Sequence, residues 1–189
     1  MGRIRFGFSN LYYAIATEGT GGALSYAAPV KIPGAKNMNM TAAGQQFTES
    51  ADNVPWYSGV TNDGYTGTIE FEDTAAADEF LTNVLGRTKG TNGLVVESAD
   101  DQPKEFAVMG QFELRGGTEV GKRAVFYRVT ASRPDVGGES KEAGSAPNVA
   151  RNVINVTALP RINDNKVAGS AVSTDSIYSD FFTAVPEVA

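Results

Sequence analysis

At 189 residues, with 41% hydrophobic and 20% charged side chains, the chain fits one globular domain with an added arm. It has no Cys and no His, which excludes thiol nucleophiles, disulfides, Cys/His metal sites and imidazole acid–base chemistry. Its net charge of −6 is uneven: four basic and one acidic residue lie in 1–48, three basic and twelve acidic in 49–105, and nine of each beyond. That pattern disfavours nucleic-acid adhesion and suits contacts between unlike surfaces of identical subunits.

The first thirty-five residues read as an extended aromatic arm (1–17, with Tyr12 and Tyr13), a turn on Gly19, Gly21 and Gly22, and a second extended segment held by Pro29 and Pro33. No apolar run reaches the ~20 residues of a membrane span, and no apolar signal core follows Arg3 and Arg5. Residues 44–64 read as a long loop, polar overall but carrying Phe47, Trp56 and Tyr57. Two readings stand for it: a segment that orders on a partner, or an ordinary strand packed on the core.

Thr68-Ile69-Glu70-Phe71-Glu72 alternates apolar and acidic residues, the signature of a half-buried strand with Glu70 and Glu72 on its outer face. A helix follows. Asp73 or Thr74 caps it, Phe80, Leu81, Val84 and Leu85 form its stripe, and Gly86 ends it. Strands are expected around Val95, over Phe106–Leu114 with a weak point or bulge at Gly110, around Val125–Val129, and over 149–159. Gly116, Gly117 and Gly121 mark a hairpin between the second and third of these, and 133–148 reads as a loop. A Gly/Ala/Ser linker at 168–171 leads to a terminal clip in which Ile177, Tyr178, Phe181, Phe182 and Val185 follow a helical stripe. The domain thus spans 1–167, with linker and clip in 168–189.

The chain carries no phosphate-binding loop, dinucleotide fingerprint or nucleophile elbow. Glu70 and Glu72, about 7 Å apart along a strand, match a glycosidase-like spacing that any alternating acidic strand also gives. Asp100-Asp101 reads as a polar turn rather than a cation site. No cofactor and no metal is expected.

Two blocks carry a family likeness. Asn10-Leu11-Tyr12-Tyr13-Ala14 with Pro29-Val30-Lys31-Ile32-Pro33-Gly34-Ala35 resembles the opening of the major tail proteins of long-tailed phages. Asp175-Ser176-Ile177-Tyr178-Ser179-Asp180-Phe181-Phe182 is similar to their closing motif, with Phe181 where the family often has Trp. The Val95–Asp101 stretch adds a third point of likeness. The resemblance implies a mainly β fold (a β-sandwich or partly closed barrel with one α-helix) without enzymatic activity. It implies a homo-oligomer, hexameric rings stacked into a tail tube through which genomic DNA passes without specific binding. Tape-measure, tail-tip initiator and tail-terminator proteins are the implied partners. The implied location is the virion, after synthesis in the host cytoplasm. On this reading Tyr12, Tyr13, Phe47, Trp56, Tyr57, Tyr178, Phe181 and Phe182 are candidates for subunit and ring contacts, and Glu70 and Glu72 for an acidic lumen. Two other classes remain open. One is a monomeric β-sandwich that binds carbohydrate on Trp56 and Tyr57; the other is a hydrolase using Glu70 and Glu72.

Overall fold

The backbone is organised by strands whose two faces alternate between separate apolar clusters. In the computed structural model, residues 4–137, 140, 144 and 151–188 are described. The strands are β1 (Ile4–Glu18), β2 (Leu24–Tyr26), β3 (Val30–Ile32), β4 (Ala35–Ala43), β5 (Gln46–Ala51), β6 (Val54–Val60) and β7 (Gly64–Phe71). After helix α1 (Thr74–Asn83) come β8 (Thr88–Lys89), β9 (Val95–Val96), β10 (Phe106–Arg115), β11 (Gly121–Ala131), β12 (Asn152–Leu159) and β13 (Ala168–Val172). The fold is mainly β with one α-helix and a large antiparallel sheet ordered β2-β1-β10-β11-β12-β7-β4. β3 joins the β1 edge, and no ladder closes the sheet into a barrel among the described residues.

The sheet divides at β11. Its first half pairs with β13, Lys122 opposite Val172 and Phe126 opposite Ala168. Its second half pairs with β12, Arg128 opposite Leu159 and Ala131 opposite Val156. One layer is therefore β1, β10, β11 and β13, and the other is β12, β7 and β4. Between them lies the main core, built on Leu11, Tyr13, Ile69, Phe71, Phe106, Val108, Val129 and Ile154. Helix α1 closes one end of this core. Phe80 meets Tyr13, Phe71 and Phe106 at ring separations of 5.3, 6.4 and 5.5 Å. Its cap matches the sequence reading: Asp73 Oδ1 accepts from the Ala76 amide at 2.8 Å, and Gly86 follows at φ 79°.

The other face of β1, β10 and β11 supports a second core of Ala14, Ala107, Met109, Val125 and Tyr127. The C-terminal segment covers it with Phe181 and Val185, and Phe182 packs against its margin. This layer is thus apolar on both faces, as strands between two covers must be.

Four expectations change on the structure. Residues 168–172 form β13 rather than a linker. The clip is not an α-helix: a short 3-10 turn at Ser176–Tyr178 leads into turns that seat Phe181. Gly110 stays in register with Ala124, and a Cβ there would fall 2.6 Å from the Phe8 ring, so it is a site of close approach and not a bulge. Residues 46–60 are a regular hairpin and neither a structureless loop nor a strand on the core. The 133–148 segment lies mostly outside the described residues.

Candidate functional site

β5 and β6 continue the β4–β7 ladder past the end of the sheet. The continuity is backbone-bonded: the Asp63 amide donates to Ala43 O at 3.0 Å, and the Thr61 amide donates to Gln45 O at 2.9 Å. Asp52 and Asn53 turn the chain with φ of 52° and 63°, the signs of a type I′ hairpin turn. A bulge between the Glu49–Tyr57 and Ser50–Pro55 pairs leaves Trp56 without a register partner. Pro55 is tolerated because β6 has a single strand partner.

Almost nothing covers this hairpin. Every residue of β5 is exposed, and in β6 only Gly59 is half-buried, beneath the Phe47 ring. Phe47 meets Tyr57 at 5.8 Å, tilted by 46°. Trp56 is 75% exposed, and Val54 and Val60 are exposed beside it. From Gly44 to Gly64 the chain carries Glu49, Asp52 and Asp63 and no Lys or Arg. The hairpin thus leaves apolar and acidic side chains exposed that the rest of the chain does not cover.

The remaining predicted site residues are dispersed. Tyr13 is buried in the main core, where its hydroxyl accepts from Asn83 Nδ2 at 2.9 Å. Tyr12 points to the opposite face and stacks on Phe182 at 4.5 Å and 14°. Phe181 is 1% exposed, so it is held inside its own chain. The Arg123 guanidinium lies over the rings of Tyr178 and Phe182, at 3.9 and 4.5 Å from their centroids, and Arg123 also donates to Tyr178 O. The structure brings Tyr12, Tyr178, Phe181 and Phe182 together around the docked C-terminus. Phe47, Trp56 and Tyr57 form a separate group on the hairpin.

Sequence reasoning missed the second lock on the C-terminus. Arg161, 3% exposed, donates from Nε to Asp164 Oδ1 and from Nη2 to Glu187 Oε2, both at 2.9 Å. It also lies over the Tyr127 ring at 4.6 Å. Hydrogen bonds from Arg161 hold the Asp164 carboxyl down at about 2. Burial pushes the neighbouring Tyr26 hydroxyl up to about 12, and that hydroxyl donates to Tyr127 O at 3.0 Å. Asp164 is only three residues along, but Glu187 and Tyr127 lie far off in the sequence, so no local motif announces the lock.

Glu70, on the outer face of β7, and Glu72, just past its end, are both half-buried. Each has a cation beside it: Arg151 is 3.5 Å from Glu70 and Lys36 is 2.9 Å from Glu72. The same face carries transverse rows, Asn39–Thr68–Asn155 and Thr41–Thr66–Thr157. It is a polar surface of low net charge and not an acidic strip. No group of three or more Asp or Glu among the described residues is arranged to hold a metal ion. No helix among them is long and apolar enough to cross a membrane.

At the end of the sandwich opposite α1 the two layers part over a cleft of about 450 Å³. Met38, Met40, Phe112 and Phe126 line it, with Arg5 and Lys122 as its only charged lining residues among those described. A second cleft of about 500 Å³ holds Arg87, Glu97 and Arg133. There Glu97 is paired to both arginines, and the bond from Arg133 holds its carboxyl below the usual range. The chain matches no known protein-family model and no curated protein.

Proposed function

We propose that this chain is a structural subunit that self-assembles into rings stacked as a phage tail tube, a conduit for genome ejection. The observation that carries the reading is the projecting hairpin, whose Phe47, Trp56 and Tyr57 are all exposed in the monomer. The resemblance of the Asn10–Ala14 and Asp175–Phe182 blocks to tail proteins gives the class of assembly. In this reading the function is physical: no bond is made or broken. The outer face of β4, β7 and β12, with its Asn and Thr rows and Glu70, faces the lumen. Its cations Lys36 and Arg151 are held by Glu72 and Glu70, so phosphates sliding past meet hydroxyls and amides rather than a clamp of free positive charge.

The carbohydrate-binding alternative draws less support. Tyr57 is turned onto Phe47, whereas Trp56 has no ring contact among the described residues, so the two rings do not make one platform. Hydrolysis by Glu70 and Glu72 also draws less support, because both carboxylates are ion-paired on a sheet face.

The test is negative-stain electron microscopy of the purified chain at high concentration. Rings or tubes roughly 100 Å wide are expected for six domains of this size around an axis. Monodisperse monomers across the whole accessible concentration range, together with Trp fluorescence quenched by a glycan, would move the assignment to a binding module.

A further inference from the structure

We infer that the hairpin of one copy seats in the cleft between the sheet layers of a neighbouring copy, with Trp56 as the anchor. The inference rests on the assembly reading and names the two surfaces that meet.

The two surfaces are complementary in chemistry. The hairpin offers aromatic and branched side chains with Glu49 and Asp52 near its tip and no cation between Gly44 and Gly64. The cleft offers the half-buried Met40 and Phe112, the latter beneath the Arg5 guanidinium at 4.7 Å, above the buried Met38 and Phe126, with Lys122 also at the rim and no acidic lining residue among those described. Methionines adapt to an inserted ring, and rim cations gain both from the carboxylates and from an indole face. A cleft of about 450 Å³ is within the usual size of a site that buries an aromatic group.

The hairpin does not fill this cleft in its own chain. Met38 and Met40 lie on β4, and the hairpin continues that strand onward, so its tip lies roughly 40 Å beyond Met40 along the strand direction. Its strands are exposed along their length, as a segment that does not fold back must be. Hairpin and cleft are different surfaces, so the contact is heterologous, and repeated copies form a closed ring or an open filament. Both lie at the end opposite α1.

The absence of native cysteine makes the contact directly mappable. Two full-length variants, Ser58→Cys on the exposed hairpin and Ser170→Cys at the cleft, are mixed and treated with a short bis-maleimide. The expected result is a cross-link that joins position 58 of one copy to position 170 of another, in large excess over either like pair. Lys122→Glu is expected to weaken association roughly ten-fold, with recovery when the partner carries Glu49→Lys. Sedimentation of the unmodified chain separates the two levels of the argument. Association without the mixed cross-link, and without a response to Lys122→Glu, overturns the hairpin–cleft contact and leaves the assembly reading standing. No association of the unmodified chain at any concentration overturns both.

Discussion

Phe181 and Trp56 are both aromatic residues that the sequence marks for contact, yet they call for opposite experiments. Phe181 fills the second core, so Phe181→Ala is expected to cost about 3–5 kcal/mol of monomer stability in chemical denaturation. A loss of assembly in that variant follows from the weakened fold and says little about the interface. Trp56 fills nothing in its own chain, so Trp56→Ala is expected to change monomer stability by no more than about 0.5 kcal/mol while removing assembly. An unfolding midpoint lowered as far as that of Phe181→Ala would show that the hairpin ring is structural. The sequence made the apolar stripe at 177–185 legible but not its destination. The patch it covers is spread over Ala14, Ala107, Val125 and Ala171, on four strands far apart in the chain. Titration belongs to the same scale. Asp164, held at about 2, contributes stability that is complete above its unfolded value near 3.9 and is lost as pH falls through about 2. Tyr26, raised to about 12, contributes stability that is complete below about 10 and is lost as pH rises through 12. Chemical denaturation over a pH series is expected to show a loss of stability at these two extremes with a plateau between, and a stability that changes across neutral pH would contradict this account.

At the level of elements, the alternation of Ile69 and Phe71 with Glu70 and Glu72 and the cap-and-stripe of α1 were readable, because each is a local pattern with one burial face. The hairpin was not. Its strands are exposed on both faces and mix apolar with polar residues without strict alternation, so the period-2 signal has nothing to report. Its turn also uses Asp52-Asn53 where Asn-Gly is the strong sequence mark. β13 was missed for a related reason: Ala168–Val172 is small and glycine-containing, and only the neighbouring β11 makes it a strand. The hairpin's independence gives a prediction. Replacing residues 46–60 by Asn-Gly joins Gln45 to Thr61, already a hydrogen-bonded rung at 2.9 Å, through a two-residue turn of the preferred type. The shortened chain is expected to keep its far-ultraviolet circular dichroism and to melt within a few degrees of the parent, while sedimenting as a monomer. A collapse of the melting temperature would mean that the hairpin supports the β4–β7 pair.

For the whole molecule, one end of the core is closed by α1 and the other opens over the half-buried Met40 and Phe112. On the assembly proposed above, a second copy would cover both this mouth and the exposed hairpin at once. Assembly then adds to stability by mass action, because the contact exists only between folded chains. Each ten-fold rise in concentration above the dissociation constant adds about 1.4 kcal/mol, which for a chain of this length raises the melting temperature by roughly 3–6 °C. The expected outcome is a melting temperature that climbs with concentration for the parent chain and stays level for Trp56→Ala and for the chain lacking residues 46–60. The gain is expected to shrink in high salt, since Arg5 and Lys122 sit at an accessible rim where ions screen them. Differential scanning calorimetry over a dilution series reads this directly. Parallel slopes for the parent and the hairpin-less chain would place the stabilising contact elsewhere on the surface.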